Sequence, residues 1–374
     1  MKIKRSDIMT CILFCGFLLV MLALFLLLPK KEFSEKEKRY LAQTPELSWE
    51  NISSGGFSEE AETYLADHMP GRDFFVGLNA YVDLLSNRQV TKDVYLAEGD
   101  RLVEAPIVWN EAGAKRNMAA INQFAQKVDC PVDLMLVPSA GYVLQDTVVG
   151  LQDPYQDDAI IQNIYAMAEE KVVCRDLISE FSGAEDPGAL YYRTDHHWTS
   201  LGAYTAYGAY MDMLSREHPD VTDFTVESYP GFLGSTYSRS GLWQIPGEEV
   251  ELWQNDTAFT VTTGDSQQPH QGLFYMERLE ELDKYTVYLD GNHASVTISN
   301  PDAAGQGKLL VIRDSYANCL GTFLANSYES VTLIDLRYYK KPVSELLAEG
   351  EFTNVLVCYS LGNFMTDTNI IWLR

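Results

Sequence analysis

The sequence predicts an α/β fold, in which helices cover both faces of a mostly parallel β-sheet. After residue 105, helical segments alternate with short apolar runs such as VDLMLV, KLLVI and NVLVC. Gly, Ser, Asp or Pro follows each run within a few residues, and these residues favour loops. Strands that are apolar on both sides and joined by helices form buried parallel sheets, whose ligands bind at the carboxyl edge. A three-layer sandwich is therefore expected.

An apolar segment near the N-terminus predicts a membrane anchor. Residues 8–28 carry no charge and are long enough to cross a bilayer. No small-residue cleavage motif follows them, which favours an uncleaved signal anchor over a removable signal peptide. We expect a single-pass protein of the cell membrane, with residues 1–30 as the transmembrane helix and the bulk of the chain extracytoplasmic.

The rest of the chain divides into two predicted regions. Residues 31–105 have helical periodicity and then a turn signal at Glu98-Gly99-Asp100, which predicts a helical stalk and a β-hairpin. Residues 106–374 carry the α/β pattern. Within them, residues 223–305 are rich in aromatic and turn residues, and alternation around Asp290-Gly291 predicts antiparallel strands. We interpret that stretch as a β-rich insertion.

Composition restricts the partners of the protein. The formal net charge is −25, and no cluster of Lys and Arg is present, which argues against a nucleic-acid partner. Two of the six cysteines lie in the apolar segment, and the other four lack the spacing of a zinc site. We favour the interpretation that those four cysteines are buried thiols. One disulfide between two of them is the alternative, if the domain lies outside the cytoplasm.

The stretch YYRTDHHWTSLGAY, residues 191–204, contains two of the six histidines. A helix is expected to begin at Thr199 or Ser200, so the histidines lie in the loop before it. In an extended segment alternate residues face the same side, which pairs Asp195 with His197. A histidine acting as a general base needs one free ring nitrogen and one held by a carboxylate. We predict that Asp195 orients His197 as this base.

Two alternatives to acid–base chemistry stay open for this stretch. Asp195, His196 and His197 are potential metal ligands, although neighbouring side chains diverge and no further His or Cys follows at a ligand spacing. The other alternative is a purely structural role for this stretch, with Thr199 as a helix cap. In the favoured interpretation, His196 faces away from Asp195 and shapes the loop.

A candidate nucleophile follows the apolar run KLLVI. Ser315 lies in RDS, between that run and a predicted helix. A serine at a strand-to-helix turn exposes its hydroxyl at the sheet edge, near backbone N–H groups that can stabilise an oxyanion. An ordinary helix cap at Asp314 or Ser315 is the alternative. Ser139, which also follows a strand, is the reserve nucleophile.

Together, TDHHWT and the downstream RDS resemble the DHHW family of bacterial surface proteins. That family is similar to the SGNH-hydrolase-like proteins of alginate O-acetylation, of the AlgJ and AlgX type. The resemblance extends to the N-terminal anchor, FSEEAETYLADHMPGRDFF, the hairpin and GFLGSTYSRSG. It implies a triad of Ser315, His197 and Asp195. Because the His/Asp segment precedes the serine, it also implies a circularly rearranged SGNH-like fold.

Further site residues are weaker predictions. Gly362-Asn363 is similar to the block whose asparagine donates to the oxyanion hole in that relationship, whereas Arg313 departs from the usual Gly-Asp-Ser. Trp198 is a candidate for stacking on a sugar ring or, alternatively, a core residue. Tyr237 and Arg239 are candidates for binding substrate, or belong to a surface turn.

The sequence therefore predicts a membrane-anchored O-acyl(acetyl)transferase or esterase acting on cell-surface polysaccharide. By resemblance, a multi-pass membrane acyltransferase delivers the acyl donor, and no cofactor or metal is required. Two alternatives remain: a non-catalytic carbohydrate-binding or assembly protein of a polysaccharide modification system, and a metal-dependent hydrolase that uses both histidines.

Overall fold

The computed structural model describes residues 4–34, 39–86, 90–91, 93–149, 153–264, 266 and 268–373. The chain forms two compact units. One comprises Met1–Thr91 and Ser238–Gln244, and the other comprises Lys92–Tyr237 and Ile245–Arg374.

The first unit is mainly helical. Its elements are α1 (Arg5–Leu27), β1 (Phe33–Ser34), β2 (Arg39–Tyr40), α2 (Trp49–Ser54), α3 (Gly56–Asp67), α4 (Arg72–Leu85) and β3 (Val90–Thr91). Strands β1 and β2 pair antiparallel. The segment Ile8–Leu27 of α1 is long and apolar enough to span a membrane, with a mean hydropathy of 2.8. A signal sequence can have the same length and composition, so the membrane anchor stays a prediction.

Within residues 31–105, helices α3 and α4 agree with the predicted helical periodicity, and residues 35–38, 87–89 and 92 lie outside the described residues. Gly55, with a φ of 86°, ends α2 and precedes α3. This left-handed conformation suits glycine, which has no Cβ. On the predicted apolar face of α3, Tyr64 is partly buried, but Leu65 is 54% exposed.

The second unit contains the α/β pattern. Its helices are α5 (Glu111–Lys127), α6 (Ala140–Val143), α7 (Asp157–Tyr165), α8 (Ile178–Ser182), α9 (Ser200–Met213), α10 (Ser235–Ser240), α11 (Ala317–Leu324), α12 (Val343–Gly350) and α13 (Leu361–Thr366). From Ser238 onward, α10 is counted with the first unit. Its strands are β4 (Val94–Ala97), β5 (Arg101–Glu104), β6 (Val132–Val137), β7 (Val172–Arg175), β8 (Thr225–Phe232), β9 (Glu248–Gln254), β10 (Thr260–Thr263), β11 (His270–Gln271), β12 (Ser295–Ser299), β13 (Lys308–Arg313), β14 (Ser330–Ile334) and β15 (Asn354–Ser360).

The main sheet, within the described residues, has eight strands in the order β11-β10-β12-β14-β13-β15-β6-β7. The strands from β14 to β7 in this order are parallel, and β10, β11 and β12 pair antiparallel. Helix α11 connects β13 to β14, and α12 connects β14 to β15. The prediction of a mixed α/β fold with a mostly parallel sheet is confirmed.

Both faces of the sheet are buried against helices. Along β13, Leu309 and Val311 belong to a core cluster that includes residues of α9 and α11. Leu310 and Ile312 belong to a second cluster that includes residues of α5, α7 and α13. Because side chains alternate along a strand, a continuous apolar run fills both layers at once. All six cysteines are free thiols, and Cys319 and Cys358 are fully buried, whereas Cys130 and Cys174 are partly buried.

The predicted hairpin is present. Strands β4 and β5 pair antiparallel, with Val94 opposite Glu104. Gly99 and Asp100 form its turn with φ values of 72° and 58°. Both values lie in the left-handed region that a tight hairpin turn requires.

Residues 223–305 are β-rich, but three of their strands join the main sheet. Strands β8 and β9 form a separate antiparallel pair, whereas β10, β11 and β12 extend the main sheet. The predicted strand pair around Asp290-Gly291 is wrong on its first side, where Lys284–Val287 form a 3-10 turn. Tyr285 and Val287 are buried there, so tertiary packing overrides the local alternation.

Asp157, the first residue of α7, is a buried carboxylate with a testable effect on stability. The backbone N–H of Ser139 donates to its Oδ2 at 2.7 Å, while its Oδ1 is buried with no hydrogen-bond partner. Burial raises the pKa of Asp157 from 3.8 to about 6, against the effect of that hydrogen bond. The folded state therefore binds this proton more tightly than the unfolded state, and the resulting stabilisation is lost as pH rises through about 6.

We predict that Asp157→Asn changes stability in a pH-dependent manner. The asparagine has no charge to bury. The unfolding free energy of the variant, relative to that of the wild type, should therefore be about 1 kcal/mol higher at pH 8 than at pH 5. Thermal unfolding at both pH values measures this difference. Asp158→Asn, at the exposed neighbouring position, is the matched control. The same difference at both pH values would contradict the prediction.

Candidate active site

Ser315 lies where strand β13 turns into helix α11. The strand ends at Arg313 and the helix begins at Ala317, so Ser315 is at the carboxyl edge of the sheet, as predicted. The Ser315 carbonyl accepts a hydrogen bond from the N–H of Asn318 at 3.1 Å. Its side chain is partly buried.

The structure brings Asp195, His197 and Ser315 together. Nε2 of His197 lies 2.7 Å from Oγ of Ser315, and Nδ1 of His197 lies 2.5 Å from Oδ1 of Asp195. A carboxylate only accepts hydrogen bonds, so we assign the single N–H proton of the neutral His197 ring to Nδ1. Nε2 then accepts the hydrogen bond of the serine hydroxyl. This arrangement allows the imidazole to remove the hydroxyl proton.

The loop that carries Asp195 and His197, residues 193–198, is bent rather than extended, and it is called the DHHW loop below. Residues 193–197 form successive bends before Thr199, whose side chain caps α9 by accepting from the N–H of Gly202. The predicted Asp195–His197 pair is present, but the predicted orientation of His196 is wrong. Its ring centroid lies 3.9 Å from that of His197, because the bends bring neighbouring side chains together.

Asp195 is 2% exposed and is surrounded by donors. Oδ1 accepts from the backbone N–H of His197 at 3.0 Å, and Oδ2 accepts from that of Ser235 at 2.6 Å. Burial alone would raise the pKa of Asp195, but the interactions with His197, His196 and the N–H of Ser235 hold that pKa well below its usual range. The carboxylate therefore stays ionised beside His197.

Gly234 allows the polypeptide to approach Asp195 this closely. A Cβ at residue 234 would lie 2.2 Å from the Cβ of Asp195 and 2.5 Å from its Oδ2. The N–H of Gly234 also donates to Oγ1 of Thr194 at 3.1 Å. In the GFLGSTYSRSG stretch, the sequence predicted substrate binding by Tyr237 and Arg239 or a surface turn, and it did not predict that Gly234 and Ser235 position the carboxylate.

Glu248 fixes the start of the same loop. Its carboxylate accepts from the backbone N–H groups of Arg193 at 2.7 Å and Thr194 at 2.6 Å. Burial raises the pKa of Glu248, although these hydrogen bonds act in the opposite direction. Sequence reasoning missed Glu248, since no local motif connects it with residues more than 50 positions earlier.

Tyr285 packs against the face of the His197 ring. The two rings are nearly parallel, at 8°, with centroids 3.9 Å apart. The Tyr285 hydroxyl donates to the carbonyl of Ser315 at 3.3 Å. Burial raises the pKa of Tyr285 well above its usual range, so the phenol stays neutral. Tyr285 was also missed, because it lies in the turn that the sequence predicted as a strand.

The side chain of His196 is more exposed than that of the neighbouring His197. Its Nδ1 lies 2.5 Å from Oγ of Ser235, and its carbonyl accepts from the hydroxyl of Tyr316. The contact with Ser315 belongs to His197, so the geometry distinguishes the two rings.

Asp195, His196 and His197 also form a possible metal-binding group, with one ligand atom of each within 4.8 Å of the others. Nδ1 of His197 lies against Asp195, and its Nε2 lies against Ser315. A metal would have to displace at least one of these hydrogen bonds. The arrangement therefore fits proton transfer better than metal coordination.

Asn363 lies at this sheet edge, and its side-chain amide donates to Oδ2 of Asp314 at 2.9 Å. The same oxygen accepts from the N–H and hydroxyl of Ser360 at 2.9 and 2.8 Å. Asp314 thus connects the serine turn to the end of β15 and the first turn of α13. The oxyanion role of Asn363 stays a prediction.

The structure contradicts the sugar-stacking prediction for Trp198. This side chain is fully buried, and its Nε1 donates to the carbonyl of Tyr316 at 3.0 Å. The N–H of Tyr237 donates to the carbonyl of Thr194 at 2.9 Å, and Arg239 belongs to the first compact unit. Substrate binding by Tyr237 and Arg239 stays a prediction.

Ser139, the reserve nucleophile, caps helix α6. Its Oγ accepts from the N–H of Tyr142 at 3.2 Å, and its side chain is 8% exposed. Among the hydrogen bonds of the described residues, none joins Ser139 to a histidine. The geometry favours Ser315.

Arg313, which stands where glycine is usual, is fully buried. Its Nη1 donates to Oδ1 of Asn292 at 2.6 Å and lies 3.6 Å from Oδ2 of Asp335. Burial lowers the pKa of Arg313, although Asp335 acts in the opposite direction. Both contacts involve Nη1, whereas Nε and Nη2 of Arg313 are buried with no hydrogen-bond partner among the described residues.

The fold and site define an α/β protein with a hydrogen-bonded Ser-His-Asp series at the carboxyl edge of a mostly parallel sheet. The family model described as DHHW protein matches residues 110–334, which is more than half of the chain. The chain belongs to the DHHW family.

Several solved structures are similar to this chain, and the first two share its fold. A DHHW family protein from Eubacterium siraeum has 20% identity and a TM-score of 0.65, over 76% of this chain and 95% of that one. PatB1 from Bacillus cereus has 21% identity and a TM-score of 0.63, over 75% and 98%. Another structure of PatB1 carries a sulfonyl adduct. The O-acetyltransferase domain of Pseudomonas putida AlgJ has 16% identity and a TM-score of 0.46, over 73% and 92%. A search of curated protein sequences found no match.

We predict that Gly234→Ala displaces Asp195. The added Cβ overlaps the carboxylate side chain, so the free energy of unfolding should fall by about 2 kcal/mol. The downfield proton resonance expected for Nδ1–H of His197 should also shift or disappear. Gly208→Ala is the control, because its Cβ would meet only the His218 ring, at 3.3 Å. Retention of that resonance at full stability would contradict the role given to Gly234.

Proposed function

We propose that this protein is an O-acyltransferase or esterase, with an acetyl group as the transferred acyl group and a cell-surface polysaccharide as the substrate. The observation that carries this proposal is the hydrogen-bonded series from Asp195 through His197 to Ser315, with distances of 2.5 and 2.7 Å. Nothing in that series requires a cofactor. It is the arrangement that nucleophilic acyl transfer needs.

In the proposed first step, Oγ of Ser315 attacks the carbonyl carbon of the acyl donor. His197 accepts the hydroxyl proton at Nε2 as the new O–C bond forms. The bond between the carbonyl carbon and the leaving oxygen then breaks, and His197 returns the proton to that oxygen. Asp195 holds the imidazole in the required tautomer and stabilises its positive charge.

In the second step, a sugar hydroxyl or water attacks the acylated serine. His197 removes the proton of the attacking group and returns it to Oγ of Ser315, which restores the enzyme. A sugar acceptor gives transfer and water gives hydrolysis. We assign the oxyanion contacts to the Ser315 N–H and Asn363, which Asp314 holds at this edge at 2.9 Å.

We place this activity outside the cytoplasm. Residues 1–30 are proposed as a single-pass anchor, supported by the apolar segment Ile8–Leu27. The family resemblance supports a multi-pass membrane acyltransferase as the source of the acyl donor. It also supports a circularly rearranged SGNH-like topology, with residues 106–374 as the α/β domain and residues 223–305 as its β-rich insertion.

PatB1 suggests a suitable probe, because one of its structures carries a sulfonyl adduct. Sulfonyl reagents react with activated nucleophiles, and the proposed mechanism gives Ser315 that property. The likeness to PatB1, at 21% identity, supports a shared fold, so reactivity must be tested on this chain.

Non-catalytic carbohydrate binding is the second candidate function. The observation that favours it is Trp243, which is 40% exposed. The ring of Trp243 also contacts Phe74 and Tyr81 within the first compact unit. In that case Ser315→Ala would retain polysaccharide binding, and the wild type would show no turnover.

We predict that Ser315→Ala and His197→Ala each lower hydrolysis of p-nitrophenyl acetate by the full chain at least about 1,000-fold. The first removes the nucleophile and the second removes its base. Asp195→Asn should cause a comparable loss, because it favours the wrong tautomer of His197. Initial rates in detergent, with circular dichroism as a check of folding, measure these effects.

Ser179→Ala and His218→Ala, outside the site, serve as matched controls and should retain the rate. EDTA should have no effect, whereas a metal-dependent hydrolase would lose activity. Hydrolysis by the Ser315→Ala variant at the wild-type rate would contradict the mechanism.

A further inference from the structure

Helix α4, in the first compact unit, carries an exposed apolar stripe. Phe74, Phe75, Leu78, Val82 and Leu85 are 57, 38, 45, 48 and 87% exposed. At 3.6 residues per turn, these five side chains fall within a sector of about 100° around the helix axis. They are called the α4 stripe below. A contiguous exposed apolar patch of this kind marks a site of contact with another protein or with a membrane.

The packing of α4 within its own unit uses the other side of the helix. Gly77 and Ala80 are buried, and a Cβ at residue 77 would lie 2.0 Å from the ring of Trp243. Trp243 belongs to the segment Ser238–Gln244 of the same unit. Its ring also stacks on that of Phe74, with centroids 5.9 Å apart, and Phe74 still remains more than half exposed. The α4 stripe is therefore a second apolar face, in addition to the one that packs internally.

Helix α4 begins beside the end of the apolar segment Ile8–Leu27. Residues 28–31, which follow α1, and residues 71–73, where α4 starts, line one cavity of about 300 Å³. The ring centroids of Phe25 and Tyr64 lie 6.0 Å apart, which connects α1 with α3 in the same unit. Since we propose α1 as the membrane anchor, α4 begins at the level where the chain leaves the bilayer.

Two exposed aromatic residues between α1 and α3 suit the same location. Tyr40 and Trp49 are 80 and 83% exposed. Tyrosine and tryptophan are enriched at the boundary between lipid and water, because one end of each ring system is apolar and the other is polar. The composition of this unit therefore favours a membrane surface as the contact of the α4 stripe.

A second copy of the chain fits the α4 stripe less well. The formal net charge of −25 makes two copies repel each other. From Phe74 to Leu85 the stripe extends over about 16 Å at 1.5 Å per residue. A stripe of that length on one helix is small against the roughly 800 Å² per partner that stable protein interfaces bury. Lipid acyl chains require only apolar contact, which the stripe supplies.

We propose that the α4 stripe inserts into the extracytoplasmic surface of the bilayer that α1 crosses, with its side chains against lipid acyl chains. Interfacial helices bury their apolar face by about 5–10 Å at the boundary between headgroups and acyl chains. The stripe gives the first unit a second attachment to the membrane and restricts its rotation about the anchor. This inference rests on the proposed anchor and is independent of the proposed acyl transfer.

Photocrosslinking in vesicles tests the contact. The full chain is reconstituted into phosphatidylcholine vesicles with p-benzoylphenylalanine incorporated at position 78 or, separately, at position 85, and adducts are located by peptide mass mapping. Position 83 is the matched control, because Asp83 lies about 130° around the helix from the centre of the α4 stripe. We expect about tenfold more lipid adduct at positions 78 and 85 than at position 83, since only the stripe faces acyl chains.

Three results would overturn the proposal. The first is an absence of lipid adducts at positions 78 and 85, or an equal yield at position 83, in chains that alkaline carbonate leaves in the vesicles. The second is a crosslink from either stripe position to another copy of the chain, which would identify that copy as the occupant. The third is removal of the chain by carbonate, which would refute the anchor as well.

Hydrolysis of p-nitrophenyl acetate by the unmodified chain in the same vesicles tests the proposed function separately. Lipid adducts without hydrolysis would refute acyl transfer and support the membrane contact. Hydrolysis that depends on Ser315, without lipid adducts, would support the function and refute the role of the α4 stripe.

Discussion

The buried carboxylate of Asp195 is the constraint on which the rest of the site depends. A charge that is 2% exposed is costly to bury unless hydrogen bonds surround it. Here the donors come from two segments, since His197 donates through its backbone and ring while Ser235 donates through its backbone. The bends of the DHHW loop and the absence of a side chain at Gly234 both follow from that requirement. His197 is thereby directed at Ser315.

The parallel sheet supplies the other half of the geometry. Strand β13 leads to Ser315 at the carboxyl edge, and Asp314 accepts hydrogen bonds there from Ser360 at the end of β15 and from Asn363 in α13. The DHHW loop precedes α9, and the carboxylate of Glu248 accepts hydrogen bonds from the first residues of that loop. Tyr285 covers one face of the imidazole. Segments more than 100 residues apart therefore meet at one edge, where the proposed acyl transfer takes place.

Sequence patterns predicted the parts that depend on local chemistry. Continuous apolar runs indicated buried parallel strands, and a serine between such a run and a helix indicated the turn at Ser315. The Asp195–His197 pairing was predicted correctly from an extended backbone that the loop does not have. The hydrogen bond from Trp198 to Tyr316, the 3-10 turn at Tyr285 and the pairing of Asn363 with Asp314 could not be predicted, because each depends on residues distant in sequence. Arg313 belongs to the same group, since its partners Asn292 and Asp335 lie on other segments.

The central claim is that this geometry activates Ser315. The most direct measurement is peptide mass mapping of the folded full chain after exposure to an aryl sulfonyl fluoride. The mechanism predicts one sulfonyl adduct, on Ser315, that does not form in His197→Ala. Absence of an adduct from folded protein would contradict an activated serine. An adduct on Ser139 instead would show that the nucleophile follows β6 and not β13.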